Sequence, residues 1–331
     1  MFRLTSSVTT GESPRKLSFD YVNQVIVTSR MDRLTDTCSI TLPRNLNLAD
    51  KNIRELILQG DPVKVDMGYD DDNRTVFTGF VKDIKPGAPV VIECEDAMYR
   101  LKRISVSNKN YPSFVLGDFL KEYMPSDIET HIADLSLGEY RIEKEPSLTQ
   151  VLSKLGDEWG LQFFFREGKF YGVLPTTLAM IAGVTTHKLK FGWNIISDSL
   201  EYKLADDVKL TVKAKAILKD NTKLEVTEPK GETAGETEGT ILTYFSDKAT
   251  TEPELRIFAK EMLKKNKVNS MSGSLTIFGL PYILIGDKAM LLDDKNKERN
   301  EKTFLVKSVK RTFGTGGYRQ EIELGEQADG D

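Results

Sequence analysis

The chain has 331 residues, enough for two or three packed units rather than a single core. An apolar fraction of 39% and a charged fraction of 29% belong to a globular chain and exclude disordered and collagen-like classes. With 50 acidic and 46 basic residues the net charge is −4, so no basic excess is available to neutralise nucleic-acid phosphates. No run approaches the ~18 consecutive apolar residues of a membrane-spanning helix. The opening MFRLTSSVTTGESPRK has no apolar h-region, so an ordinary secretory leader is not expected.

The first hundred residues read mainly as strand. Val22–Ser29 and Asp36–Leu42 are β-branched runs joined by a short polar turn. In Asp61–Tyr69, Val63, Val65 and Met67 alternate with Lys64, Asp66 and Gly68, the period of a half-buried strand. Arg74–Ile84 continues the pattern, and Pro86-Gly87 turns the chain into Val90–Glu95. Asp96–Arg103 predicts one or two helical turns closing the sheet. A meander of this kind tends to close into a barrel or sandwich.

The middle of the chain changes period. Ser113 is placed to cap a helix with the stripe Leu116, Phe119, Leu120 and Tyr123, stopped by Pro125. Glu139–Ile142 reads as strand. Ser147 and Gln150 form a capping box for a second helix, whose stripe is Leu148, Val151, Leu152, Leu155 and Trp159. Gly160 ends it, and Leu161–Arg166 pairs with Lys169–Leu174 across a Glu-Gly turn. This α+β unit runs from about Ser105 to Gly183.

Strands return at Lys188–Phe191, Asp198–Leu204 and Asp207–Leu218. Thr227–Thr240 is acidic, rich in Gly and Thr, and predicts a loop that buries little. Glu252–Lys265 predicts an amphipathic helix through Leu255, Phe258, Met262 and Leu263. Four or more strands follow, ending near Gly325 before the polar tail EQADGD.

The two ends of the chain share a grammar. Gly60-Asp61 and Gly286-Asp287 each start a strand, and charged hairpins follow at Tyr69–Arg74 and Asp293–Glu301. Phe80–Ile84 (FVKDI) then matches Leu305–Val309 (LVKSV). The spans from Gly60 to Lys82 and from Gly286 to Lys307 differ by one residue. Turns at Pro86-Gly87 and Gly314–Gly317 lead to closing strands Val90–Glu95 and Tyr318–Leu324. Two related barrels flanking the α+β unit are the expectation.

Candidate chemical sites are sparse. Cys38 and Cys94 are far apart in sequence and read as small apolar residues on buried strand faces. His131 and His187 have no second His or Cys at ligand spacing, so a zinc site lacks its usual ligands. Together these absences point to folding in a reducing compartment and to little chemistry. Asp70, Asp71 and Asp72 lack the alternation, central Gly and distant Glu of a calcium loop and read as a solvated hairpin tip, as do Asp293 and Asp294. Gly314-Thr315-Gly316-Gly317 precedes a strand rather than a Lys-Ser/Thr helix start, so it is a hairpin turn and not a phosphate cradle. Glu93 and Glu95 share one strand face, the carboxylate arrangement a glycosidase would need, but they read as surface glutamates. No Gly-x-Ser-x-Gly context accompanies either histidine. Lys264, Lys265 and Lys267 complement a helix C-terminus, with a contact to DNA or an acidic partner as the lesser reading. Trp159 and Phe163, Phe164 and Phe165 continue amphipathic patterns and read as core.

The segments GDPVKVDMGY, VFTGFVKDI and VVIECEDAMYRLKR resemble the first barrel of phage tail baseplate hub proteins, the late control protein D family, which includes the hub portion of type VI secretion spike proteins. SLTQVLSKLGDEWGLQFFFREGKFYGVL resembles the second unit of that family, and LIGDKAMLLDD with FLVKSVKRTFGTGGYRQEIELG resembles its closing strands. The resemblance implies a mainly β (α+β) fold, with two tail-tube-like β-barrels flanking a small α+β domain. Residues 1–104 would form the first barrel, 105–185 the α+β domain, and 186–331 the second barrel with an inserted helix and acidic loop. It further implies a homotrimer whose six barrels make a pseudo-hexameric ring joining a hexameric tail tube to a trimeric spike. The spike is expected as a separate polypeptide, because no needle follows the last strand. A tape-measure protein is a further expected contact, DNA would only pass through the channel, and no stable membrane binding is expected. No catalytic residue, cofactor or metal is expected. The location implied is the virion tail or baseplate, after synthesis in the bacterial host cytoplasm. Two other readings stand beside it: a tail-associated peptidoglycan hydrolase using Glu93 or Glu95, and a carbohydrate-binding adhesion module with exposed aromatics on one strand face.

Overall fold

The structure, a computed structural model, describes residues 3–43, 53–85, 87, 89–203, 210–218, 220–229, 240–246, 248–266, 270–297 and 299–328. Seven strands and a short helix make the first unit: β1 (Leu4–Thr10), β2 (Leu17–Phe19), β3 (Gln24–Arg30), β4 (Thr37–Thr41), α1 (Ile53–Leu56), β5 (Pro62–Tyr69), β6 (Asp72–Lys85) and β7 (Val91–Glu95); α2 (Met98–Leu101) follows, with Met98 and Leu101 buried in the core of the middle unit. The strands lie in the order β3-β4-β7-β6-β5-β1-β2, every neighbour antiparallel. The alternation read in Asp61–Tyr69 holds: Val63, Val65 and Met67 are buried with Val8, Val25, Val27 and Ile40 in one core. β5 and β6 meet at Asp70-Asp71, whose φ angles of 52° and 68° are those of a type I′ turn.

The middle unit comprises β8 (Lys109–Tyr111), α3 (Leu116–Tyr123), β9 (Thr130–Ile132), β10 (Tyr140–Ile142), α4 (Leu148–Trp159), β11 (Gln162–Arg166) and β12 (Lys169–Val173). Ser147 and Gln150 form the expected capping box on α4, worth about 1 kcal/mol. All five stripe residues of α4 are buried, and Gly160 ends it at φ 71°. Ser113 does not cap α3: the N-cap is Val115, with no side-chain bond, and Leu116 N–H donates instead to the Leu135 carbonyl. The β11–β12 hairpin has two apolar faces. Phe163, Phe165 and Phe170 enter the middle core, while Phe164, Tyr171 and Val173 enter the core of the last unit.

The last unit holds β13 (Thr186–Lys190), β14 (Ile195–Asp198), β15 (Glu201–Lys203), β16 (Leu210–Ile217), β17 (Lys223–Glu228), β18 (Thr240–Phe245), α5 (Glu252–Asn266), β19 (Ser270–Phe278), β20 (Lys288–Leu292), β21 (Thr303–Gly314) and β22 (Gly317–Gln327). The strand expected over Asp198–Leu204 is broken into β14 and β15, both paired with β19. The strand expected at Asp207–Leu218 does not join the large sheet. As β16 it centres a separate sheet, β17-β16-β18, on which α5 packs around its own small core of Val212, Ala214, Val226 and Leu255. Of the loop expected over Thr227–Thr240, Thr227 and Glu228 belong to β17, and residues 230–239 lie outside the described residues.

β14, β19, β22, β21, β20 and β13 lie side by side in that order. This is the order of β3, β4, β7, β6, β5 and β1, so the two units repeat one topology. One pairing differs: β13 runs parallel to β20, whereas β1 is antiparallel to β5. Chain direction explains it. β13 leads into β14 as β2 leads into β3, and the first unit inserts β1 between β2 and β5. The ladder pairing does not close either unit into a ring among the described residues; it joins both units into one open 14-stranded sheet.

Candidate interaction surface

The repeat extends to individual hydrogen bonds. Gly60 N–H donates to the Val81 carbonyl at 2.8 Å, and Val81 N–H returns a bond to Asp61 at 2.9 Å. Gly286 N–H donates to Val306 at 2.8 Å, and Val306 N–H returns one to Asp287 at 2.7 Å. Each glycine has positive φ, 92° and 84°, as the third position of a turn closed from Leu58 to Asp61 and from Leu284 to Asp287 requires. Each aspartate folds back on its turn, accepting from Leu58 N–H at 2.8 Å or Leu284 N–H at 2.9 Å. The cation it meets differs. Asp61 pairs with the half-exposed Arg15, whereas Asp287 pairs at 2.9 Å with Arg166, both side chains at most 3% exposed. Burial drives the Asp287 carboxyl upward, but bonds from His187, Leu284 and Thr185 and the charge of Arg166 hold it below its ordinary range.

The two repeats join edge to edge. Ser308–Gly314 of β21 pairs antiparallel with Arg30–Gln24 of β3. Phe313 and Tyr318, at the tip of the β21–β22 hairpin, cross into the core of the first unit. Within the second repeat, one strand in from the joint, Gln320 is fully buried: its amide donates to the carbonyls of Phe278, Gly279 and Pro281, and its carbonyl accepts from Ile283 N–H. Arg30 bonds Glu323 at 2.8 Å across the β3·β21 seam and is held by Asp32 of its own unit at 2.7 Å. The joint is asymmetric. The first repeat contributes its β3 edge, and the second contributes β21, the counterpart of β6. The counterpart of β3 is β14, which stands at the end of the sheet path.

A cavity of about 490 Å³ opens where the three units meet, lined by Asp36, Arg74, Asp96, Arg166, Tyr282 and Arg311 among others. Arg311 is buried, donates to the Ile283 carbonyl and lies 4.3 Å from the Tyr282 ring centre. Asp36 N–H donates to an Asp96 carboxylate oxygen at 3.1 Å. Desolvation pushes the Asp36 carboxyl up to about 7, against the pull of Ser29, Arg30 N–H and Arg311. Desolvation and the neighbouring Asp36 charge push Asp96 well up as well.

The residues singled out in the sequence take structural places. Cys38 and Cys94 are buried as expected and stand opposite one another across β4 and β7, with burial raising both thiols. Glu93 is partly exposed and pairs with Lys85 at 3.1 Å, whereas Glu95 is not a surface residue: it is buried, and its charge is met by Lys82 and Lys102, each at 2.6 Å. His131 bonds Glu129 and His187 bonds Asp287; among the described residues no cluster of metal-ligating side chains occurs. Asp70 and Asp71 form the hairpin tip, tied to Arg3. Asp293 is not a solvated tip. It is buried and accepts from Lys295, Asn296 and Arg299; burial works against ionisation, yet these bonds bring its carboxyl down to about 2. Asp294 is exposed and pairs with Lys190. Thr315-Gly316 is the turn between β21 and β22, as expected. Trp159, Phe163, Phe164 and Phe165 are core. Lys264 lies in the last turn of α5; the Lys265 side chain and Lys267 fall outside the described residues.

No family model matches the sequence, and no curated protein matches it significantly. Solved structures do match. The 43 kDa tail protein of prophage MuSo2 from Shewanella oneidensis is similar at TM-score 0.65 and 15% identity, over 98% of each chain. A tail protein from Neisseria meningitidis MC58 gives 0.64 and 15%, over 98% of this chain and 97% of that one. The chain has the fold of these phage tail proteins. An Escherichia coli type VI secretion component, described as similar to the bacteriophage T4 tail proteins gp27 and gp5, matches at 0.55 and 11%, over 93% of this chain and 74% of its own. The tail-protein fold therefore covers nearly the whole chain, both repeats and the middle unit included.

Proposed function

We propose that this chain is a structural, non-enzymatic hub protein of a phage tail or related contractile injection system. Each repeat serves as one tail-tube-like barrel unit, residues 1–104 and 186–331, with 105–185 as a spacer between them. Three copies form a ring of six repeats that meets a sixfold tail tube on one side and a threefold spike, carried by another chain, on the other. A tape-measure protein is a further partner, and DNA passes through the ring without being held. The seat of this assembly is the virion tail or baseplate, and the late control protein D proteins are the grouping it fits.

One observation carries the reading: the β3·β21 joint is head-to-tail. A contact that uses different edges of two equivalent units is heterologous and propagates, closing into a ring when the rotation allows. Within one chain it is made once. It leaves the β14 edge of the second repeat to dock against the β6 side of the first repeat in the next copy, extending the sheet across the subunit boundary.

Light scattering on the purified protein, alone and with its tube protein, tests this. A species of three times the 37.3 kDa chain is expected. Ile196→Lys puts a charge on the β14 edge at an exposed position and is expected to shift the population to monomer without lowering the melting temperature. A chain that stays monomeric in both conditions contradicts the proposal.

A further inference from the structure

The two most exposed large apolar side chains among the described residues are Tyr21, at 84%, and Trp193, at 81%. They occupy one place in the repeat. Ile40 faces Ile92 as Leu275 faces Ile322, so Thr41 and Thr276 are counterparts; they pair with Gln24 and Ser197. Counting back from those partners, through the one-residue bulge between Ile195 and Ser197, brings Tyr21 onto Trp193. The residues agree: Phe19-Asp20-Tyr21 and Phe191-Gly192-Trp193 are both Phe-x-aromatic, with each Phe packed on its own core. An inward Phe and an outward aromatic therefore recur just ahead of β3 and of its counterpart β14.

The joint between repeats shows what these aromatics do not serve. The β3 edge next to Tyr21 is already docked on β21, yet Tyr21 stays exposed. By the same geometry Trp193 stays exposed after β14 docks on the next copy. A second copy of this chain is thus not their occupant. Exposed Tyr and Trp side chains are the residues that most often anchor interfaces, because they bury large area at small entropy cost. We infer that Tyr21 and Trp193 are equivalent anchors for a partner protein that repeats once per barrel unit, with an apolar socket in each of six subunits. A threefold spike would meet one class of repeat, and would not account for the aromatic being present in both. The inference rests on the hub reading and assigns residues to its tube-facing side.

The test uses preassembled tubes of the tail-tube protein from the particle that carries this chain, with co-sedimentation of the purified full-length protein. Tyr21→Ala and Trp193→Ala are each expected to weaken capture roughly tenfold or more, and the double variant more than either, with unchanged oligomer mass. Ile257→Ala, exposed on α5, which packs on the separate β17-β16-β18 sheet, is the control and is expected to bind like the wild type. Undiminished capture by the double variant overturns the inference and leaves the hub reading standing. Loss of oligomer mass in the variants also overturns it, by placing the aromatics inside the ring. Failure of the wild-type protein to oligomerise or to bind tubes contradicts the hub reading itself.

Discussion

Asp61 and Asp287 have the same backbone duty but different surroundings, which sets up a matched pair of substitutions. Asp287→Ala removes the acceptor for Leu284 N–H, Thr185 N–H, His187 and Arg166. It leaves the Arg166 guanidinium, 1% exposed, without its counter-ion. Breaking a buried pair by deleting one partner costs about 3–5 kcal/mol. Asp61→Ala also frees one turn N–H, but Arg15 is 42% exposed and regains water, so about 1–2 kcal/mol is expected. Asp287→Asn keeps an acceptor, loses the charge, and should fall between the two. Urea titrations read the difference as a shift of midpoint at constant slope. Equal costs for the two alanine variants, or a larger cost at Asp61, would refute the assignment of the clasp strength to the buried arginine.

Gln320→Ala strips one buried amide from three carbonyls and the Ile283 N–H, so a loss of roughly 3 kcal/mol is expected by the same titration. Gly160→Ala places a Cβ 2.3 Å from the Thr243 carbonyl oxygen at a φ of 71°, and should lower the melting temperature by several degrees. The raised carboxyls at the cavity give a pH dependence of definite sign. With Asp36 near 7 when folded and about 4 when unfolded, the folded state binds the extra proton between those values. Stability should therefore decline as pH rises from about 4 to 7 and level above, and Asp36→Asn should flatten that decline in melting curves taken across the range. Asp287, with its lowered carboxyl, acts oppositely: its contribution is full above the ordinary carboxylate range and is lost in acid below it.

Local signals in the chain were readable where local physics decides. The Ser147–Gln150 box, the α4 stripe, the Val63-Val65-Met67 alternation and the Glu167-Gly168 turn all depend on neighbours within a few residues, and each is present. The Gly-Asp repeat was visible because a turn that needs positive φ favours glycine in both copies. β1 was missed because its inward positions include Ser6 and Thr10, which carry no apolar period. Nothing local marks the β16·β18 parallel pairing, whose intervening segment leaves the partner strand unspecified. Asp293 looked solvated because its acceptor bonds come from a loop whose shape the residues alone do not fix. The β3·β21 seam and the Arg166 partner of Asp287 are long-range pairings, legible only once the strands are placed. The place shared by Tyr21 and Trp193 likewise depends on a bulge that shifts the register by one.

Electron microscopy of the purified oligomer, viewed down its symmetry axis, bears most directly on the duplicated unit as a ring-builder. A closed annulus with six similar lobes, from three chains in which β14 of one copy continues the sheet of the next, is the expected image. Dimers related by a twofold axis, or a threefold particle joined through the middle units with the β14 edges left bare, would contradict it.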